Sequence, residues 1–221
     1  MRKLLVFLIL LFILLAVLDR VAVAGVQRDL ANRIAAASDL QRTPEVEITG
    51  IPFLTQAVSG HYQEVRFDLG TLRYGGVPIE DLKGAAYDVT APLADLLQNR
   101  ADIRAGRVAV SGTLTNATID RFAPEGVKIS GRGDRFVASG ELMVGAQKVK
   151  FDAEMKVEMT EAGIRLQAEK IEGVPVQLAR LVGYTIPFKG KLPFDVKVTG
   201  VKSVPGGLQI SAEASDVPIR G

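Results

Sequence analysis

The residues that could perform acid–base or nucleophilic chemistry are few in this chain. The sequence contains one histidine, His61, and no cysteine, which excludes thiol catalysis and the usual cysteine or multi-histidine zinc site. Glu80 and Asp81 are adjacent, and adjacent strand residues point to opposite faces, so we expect no shared acid–base role. The sequence also lacks the glycine-rich P-loop pattern that binds phosphate. We therefore predict no catalytic residue, no metal site and no cofactor.

A different chemistry, contact with apolar molecules, is indicated between residues 181 and 188. Four large apolar side chains lie there around a glycine and a proline, and we predict that the segment is a loop. They are Leu181, Tyr184, Ile186 and Phe188. Loops are usually exposed and polar, so these side chains either pack on the protein core or contact lipid acyl chains. In the second case, Lys189 and Lys191 are candidate contacts for the headgroup phosphate.

Two further apolar pairs lie on predicted short helices. Phe53 and Leu54 are in the first turn of a helix predicted over residues 52–58. They either line the mouth of a groove or fasten this helix to a sheet. Leu96 and Leu97 share one side of a helix predicted over residues 92–98. These two pairs complete our set of candidate lipid-binding residues.

The N-terminus carries an unbroken apolar run from Leu4 to Leu18, preceded by Arg2 and Lys3. Positive charge before an apolar run is typical of export signals and predicts that the following chain lies outside the cytoplasm. As a helix the run spans about 22 Å, whereas a hydrocarbon core is about 30 Å thick. We therefore expect residues 1–24 to form either a signal peptide or a membrane anchor.

The residues after the apolar run support both interpretations of it. Ala22-Val23-Ala24 has the small-x-small pattern of a signal-peptide cleavage site. Asp19 and Arg20 interrupt the expected boundary, however, and helical periodicity continues over residues 26–37. This continuation is what an anchor helix that runs directly into an external helix would show. We slightly favour the anchor.

The charge of the remaining chain argues against a nucleic-acid partner. Without the first 24 residues, basic and acidic residues are equal in number. Nucleic-acid binding needs clustered basic charge, and the sequence shows no such cluster. The sequence therefore predicts no nucleic-acid partner.

Most of the chain beyond residue 44 has the two-residue periodicity of β-strands with one apolar and one polar face. Apolar residues alternate with charged or polar ones in several segments, which are 46–48, 65–69, 149–159, 164–168, 194–198 and 208–214. Glycine-rich turns separate many of these segments, and short helices are predicted over residues 52–58, 92–98, 116–122 and 175–182. We predict an α+β fold that is mainly antiparallel β, with an N-terminal apolar helix.

The predicted strands have more apolar surface than the short helices can cover. The sheet either closes into a filled core or leaves an apolar face partly open. An open apolar concavity is a candidate lipid site. Periodicity does not distinguish these two architectures.

Several segments are similar to a known family. The opening segment, Gly50-Ile51-Pro52-Phe53-Leu54-Thr55-Gln56, is followed by further matching segments in the same order and spacing. They are Gly76-Val77, Pro92-Leu93-x-Asp95-Leu96-Leu97, Thr115 to Phe122, Leu192-Pro193-Phe194, Pro205-x-Gly207-Leu208 and Val217-Pro218. Together they resemble the actinobacterial LmeA-like phospholipid-binding family over most of residues 19–219.

The resemblance implies a non-enzymatic envelope protein that holds phospholipid, or presents it or a lipid-anchored glycan, in an elongated apolar groove. It implies a curved, elongated sheet with short helices, reminiscent of tubular lipid-binding domains, and a single lipid-binding domain over residues 25–221. It implies no catalytic residues. The alternative is a membrane-anchored structural or scaffolding envelope protein with a closed core.

Overall fold

The computed structural model describes most of the chain. The described ranges are 2–37, 40–91, 102–132, 135–144, 147–160, 163–172, 182–187, 196–204 and 206–220. Three helices lie in these ranges: α1 (Arg2–Ala37), α2 (Phe53–Ser59) and α3 (Asn116–Phe122). They confirm the helices predicted over residues 26–37, 52–58 and 116–122. The helix predicted over 92–98, and all but the last residue of the one predicted over 175–182, lie outside the described residues.

Strands form most of the remainder. They are β1 (Glu45–Ile48), β2 (His61–Tyr74), β3 (Val77–Thr90), β4 (Asp102–Thr115), β5 (Val127–Arg132), β6 (Arg135–Val144), β7 (Gln147–Thr160), β8 (Gly163–Glu172), β9 (Tyr184–Pro187), β10 (Val196–Val204) and β11 (Gly207–Arg220). One sheet has the order β1-β2-β3-β4-β11-β10, and the other has the order β5-β6-β7-β8-β9. The mainly antiparallel architecture with short helices and an N-terminal apolar helix is thereby confirmed. The six strand segments predicted from periodicity all fall on these strands, except residues 194–195, which are not described.

The chain divides into two compact units. Unit 1 comprises Met1–Leu69, Lys83–Ala109 and Ser215–Gly221, and unit 2 comprises Gly70–Leu82 and Val110–Ala214. The assignment of residues 25–221 to one lipid-binding domain stays a prediction.

Unit 2 contains a tightly packed core. Its five-stranded sheet is antiparallel, and within it Ala138 pairs with Ala153 and Val157 pairs with Leu166. Ile119 of α3 is fully buried against this core. Thr115 caps the start of the helix, and its hydroxyl accepts a hydrogen bond from the backbone N–H of Thr118 at 3.2 Å. Such a cap satisfies one of the free N–H groups at the start of a helix.

The core of unit 1 is built mainly from α2 and the strands near it. Its buried apolar side chains include Ile48, Phe53, Tyr62, Ala85, Ala86, Val89, Ala91 and Ala105. Three of the strand members, Ala85, Ala86 and Ala105, are alanines, which supply little side-chain volume. Val23 and Ala31 of α1 are also buried, which shows that the second half of α1 packs on protein.

The prediction of a loop over residues 181–188 was wrong for its described part. Residues Tyr184–Pro187 form β9, which pairs antiparallel with Gly163–Leu166 of β8. Gly163 allows this pairing, because a Cβ at that position would lie 2.0 Å from the Ile186 carbonyl oxygen. Of the glycine and proline that indicated a loop, Gly183 directly precedes the strand and Pro187 is the last of its four residues.

Candidate functional site

The first half of α1 exposes large apolar side chains in every direction. The side chains from Leu4 to Leu18 are largely exposed, and Phe12 reaches 74%. Continuous apolar surface of this extent is rare on a soluble protein and marks contact with another apolar phase. By length and composition, α1 fits a membrane-spanning helix, and a signal sequence near the N-terminus would fit equally well.

A buried carboxylate joins α1 to α2. Asp19 directly follows the apolar run, and only 4% of its surface is exposed. Its Oδ1 atom accepts a hydrogen bond from the backbone N–H of Leu54 at 2.8 Å. The neighbouring Arg20 donates from Nε to Oδ2 at 3.2 Å. The negative charge is therefore balanced both by a cation and by the first turn of α2.

The inner side of α2 is fixed by packing and by an amide network. Phe53 is 3% exposed, and its ring lies 6.2 Å from the ring of Tyr62. The buried Gln56 donates from Nε2 to the carbonyl of Thr49 at 3.0 Å and accepts from the backbone N–H of Gln63 at 3.1 Å. These contacts leave α2 little freedom to rotate.

The outer side of α2 and the residues before it are apolar and exposed. Ile51 is 83% exposed, Leu54 38% and Val58 80%. Leu54 and Val58 are four residues apart, so they lie on the same side of the helix. We call these three residues the α2 patch. The helix therefore has one apolar side that is buried in protein and a second apolar side that is exposed.

One face of β1 and β2 is apolar and only partly covered. Val46 pairs directly with Phe67, and Ile48 pairs with Val65, so these four side chains share one face. Ile48 is buried, but Val46, Val65 and Phe67 are half-buried. Leu69, two residues beyond Phe67 on the same strand, is half-buried as well. We call Val46, Val65, Phe67 and Leu69 the β2 face.

A glycine on β3 makes room for the β2 face. A Cβ on Gly84 would lie 2.6 Å from Cζ of Phe67 and 2.5 Å from the Ala109 carbonyl oxygen. Only a residue without a side chain fits at this distance. The edge of the Phe67 ring thus lies close to the backbone of β3 at Gly84.

The opposite face of β2 carries charge. Arg66 donates from Nη2 to Glu64 at 3.1 Å, and Lys83 lies 3.4 Å from Asp68. The Arg66 guanidinium holds the pKa of Glu64 below its usual range. The strand is therefore amphipathic. One side carries ion pairs suited to contact with water, and the other side, the β2 face, is apolar.

The described candidate residues from the sequence fall in two places. Phe53 and Leu54 lie on α2, where Phe53 is enclosed by protein and Leu54 is partly exposed. Tyr184 and Ile186 lie on β9 in unit 2, where Ile186 is fully buried in the core. Tyr184 is half-buried, and this burial raises the pKa of its hydroxyl. The other six candidates, Leu96, Leu97, Leu181, Phe188, Lys189 and Lys191, lie outside the described residues. Lipid contact by any of the ten stays a prediction.

Sequence reasoning missed the α2 patch and the β2 face as candidate surfaces. The alternation of Val65, Phe67 and Leu69 was recognised, but it shows only which side of a strand is apolar. It does not show how completely that side is covered. Ile51 and Val58 gave no signal, since isolated apolar residues near a helix end are common on surfaces.

The described residues contain no arrangement that indicates metal or acid–base chemistry. No group of three or more potential metal ligands occurs in the described ranges. His61 is exposed on β2, and its Nε2 atom lies 3.9 Å from the exposed Asp88 carboxylate. Glu80 and Asp81 are both exposed on β3.

Comparison with known proteins gives one clear result. The chain has no match among curated proteins or among solved structures. The family model described as LmeA-like phospholipid-binding matches residues 17–213. This match covers α2, both candidate surfaces and every strand from β1 to β10. The chain therefore belongs to the LmeA-like phospholipid-binding family.

Proposed function

We propose that this protein is a non-enzymatic phospholipid-binding protein of the cell envelope. It holds phospholipid, or presents it or a lipid-anchored glycan, on an apolar surface outside the cytoplasmic membrane. The observation that supports this most directly is the family match over residues 17–213. The half-buried β2 face adds a physical reason, because apolar side chains on a strand that are not fully covered by protein can accept an acyl chain.

The proposed location follows from α1. Arg2 and Lys3 precede the apolar run, so the positive end stays in the cytoplasm and the strands lie outside. We propose that α1 is retained as an anchor. Asp19, Val23 and Ala31 are buried parts of the folded protein, and cleavage after Ala24 would remove the first two.

The β2 face is our preferred acyl-chain contact. It lies in unit 1, where three of the buried strand residues are alanines and the larger side chains of the β2 face are half-buried. In unit 2, Ile186 is enclosed, and its neighbour Leu166 is also fully buried. A lipid that contacts Ile186 would have to open this core, whereas one that contacts Phe67 would cover surface that is already accessible.

A closed-core scaffolding protein is the second candidate, and the packed core of unit 2 favours it. Ala138, Leu166 and Ile186 are all fully buried there. The two candidates differ in one measurable property, which is the presence of bound lipid.

Native mass spectrometry of the full chain released from detergent tests the proposal. We expect one or two co-purifying phospholipids and uptake of phospholipid from vesicles. Phe67→Asp places a charge on the β2 face and should abolish most of this uptake. Asn32→Asp places the same charge on an exposed position of α1, away from the β2 face, and should leave uptake unchanged. Lipid-free protein that takes up no phospholipid would support the scaffold, and full uptake by a folded Phe67→Asp protein would exclude the β2 face.

A further inference from the structure

The α2 patch has a defined position relative to the apolar run. Leu18 is the last residue of that run, and Asp19 follows it. The hydrogen bond of 2.8 Å from Leu54 to Asp19 places the first turn of α2 at the level where the run ends. Because α2 has seven residues and is about 10 Å long, Ile51 and Val58 both lie within about 10 Å of that level.

The length of the apolar run places its end, at Leu18 and Asp19, inside the bilayer interface. Fifteen residues from Leu4 to Leu18 span about 22 Å, which is less than a hydrocarbon core of about 30 Å. A short span is accommodated by local thinning or by drawing flanking residues toward the membrane. Val21, which is 66% exposed just beyond Asp19, extends the apolar surface in the same direction. The headgroup layer, about 5–8 Å thick on each side, then surrounds the junction of α1 and α2.

The charges at the junction fit a phospholipid surface. The Asp19 carboxylate is turned inward and neutralised, so it presents little negative charge to lipid phosphates. The Arg20 side chain is half exposed beside it and is available to a phosphate. An exposed cation next to exposed apolar side chains is the composition of an interfacial membrane contact.

We propose that the α2 patch is a membrane-docking surface that inserts Ile51, Leu54 and Val58 into the outer face of the bilayer that α1 spans. The occupant is the phospholipid surface itself. The surface rests on the membrane anchoring proposed above, but it does not depend on the β2 face. Its effect is to hold unit 1 against the membrane at a fixed orientation, because two points of attachment, α1 and α2, are joined by the contact between Asp19 and Leu54.

Single-tryptophan variants of the full chain in phospholipid vesicles test this docking, since the natural sequence has no tryptophan. Ile51→Trp and Val58→Trp report on the patch. Val17→Trp reports on the apolar run, and Asn32→Trp reports on a position thirteen residues beyond Asp19, about 20 Å farther along α1. We expect brominated phospholipids to quench the tryptophans at 17, 51 and 58, and aqueous acrylamide to quench only the one at 32.

Two outcomes overturn the proposal, and they are distinguishable. If positions 51 and 58 behave like position 32 while position 17 is quenched by brominated lipid, then α1 is inserted and the patch does not dock. A patch that faces a protein partner would give this result in protein-free vesicles. If position 17 also escapes quenching, then the membrane anchoring fails and the docking fails with it.

A second measurement distinguishes membrane contact by the α2 patch from membrane attachment by α1 alone. In a Leu54→Trp reporter, the paired substitutions Ile51→Asp and Val58→Asp should shift the emission to longer wavelength and remove quenching by brominated lipid. Asn32→Asp adds a carboxylate away from the patch and should change neither property. Undiminished quenching with both patch substitutions present would show that the anchor alone holds α2 at the membrane, which would overturn the proposed role of these side chains.

Discussion

Asp19 and Leu54 are 35 residues apart in sequence, yet the backbone N–H of Leu54 donates to the Asp19 carboxylate at 2.8 Å. This bond links the end of the apolar run to the first helix of the β-rich part of the protein. The family match begins at residue 17 and so includes Asp19. The Asp19 carboxylate is buried against α2.

Substitution of Asp19 tests whether this link is structural. Asp19→Ala leaves the Leu54 N–H without its acceptor, so this amide should exchange with solvent roughly fivefold to tenfold faster, as expected for the loss of one hydrogen bond. Hydrogen exchange on the detergent-solubilised full chain measures this. Asp29→Ala is the control, because Asp29 pairs with Arg33 on the exposed side of the same helix. Equal exchange in both variants would contradict the link.

The two sides of α2 should respond differently to truncation. Phe53 is buried against Tyr62, so Phe53→Ala should lower the free energy of unfolding by about 3–5 kcal/mol. Leu54 is partly exposed, and Leu54→Ala should cost less than about 1 kcal/mol. Denaturant titration of the full chain in detergent compares them. A stable Phe53→Ala protein with reduced lipid uptake would instead place Phe53 in a lipid site.

Unit 2 offers a matching test of core against lipid contact. Ile186 is fully buried, so Ile186→Ala should lower the free energy of unfolding of the lipid-free protein by about 2–5 kcal/mol. Tyr184→Phe removes only a long hydrogen bond of 3.5 Å to the Ile119 carbonyl and should cost less than about 1 kcal/mol. If Ile186→Ala leaves lipid-free stability unchanged and weakens lipid uptake, Ile186 belongs to a lipid site.

The sequence was sufficient to predict most helices and strands, but not how completely their apolar faces are buried by the rest of the protein. Alternation on β7, such as Phe151, Ala153 and Met155 against charged neighbours, fixes both the strand and its buried face, because the side-chain period is two. Proline and glycine located α2 to within one residue. β9 was missed because four residues with a terminal proline give too short a pattern, and its pairing depends on distant Gly163.

The candidate surfaces were harder to predict than the elements. Tyr184 and Ile186 were selected because they are large and apolar in a predicted loop. Pairing with β8 instead buries Ile186 in the core of unit 2 and packs Tyr184 against that core. The β2 face could not be distinguished from a buried face, since its exposure depends on which strands lie opposite. The bond between Asp19 and Leu54 joins residues whose sequence contexts give no indication of contact.

The ion pair between Glu64 and Arg66 should stabilise the fold at neutral pH and lose this effect in acid. Arg66 lowers the pKa of Glu64 from its ordinary value of 4.5, so the carboxylate stabilises the fold above about pH 4.5. That contribution is lost as the pH falls through the lowered native value. The difference in melting temperature between the natural protein and Glu64→Gln should therefore be constant from about pH 7 to 5 and shrink below 4.5. A difference that persists to about pH 3, or one that disappears near neutrality, would contradict this assignment.

Gly84 tests the geometry of the β2 face directly. A methyl group there would lie 2.5 Å from the Ala109 carbonyl oxygen and 2.6 Å from Phe67 Cζ. The carbonyl belongs to a paired strand and cannot move far, so the Phe67 ring must be displaced and the strands must shift. Gly84→Ala should therefore cost about 1–3 kcal/mol of stability, as overpacking does elsewhere. It should also weaken phospholipid uptake if Phe67 contacts acyl chains. Gly200→Ala is the control, because its nearest neighbour, Ser211 Cβ, would be at an ordinary 3.8 Å. Unchanged stability and uptake in Gly84→Ala would mean that Phe67 is free to move and that its position over β3 does not matter for lipid binding.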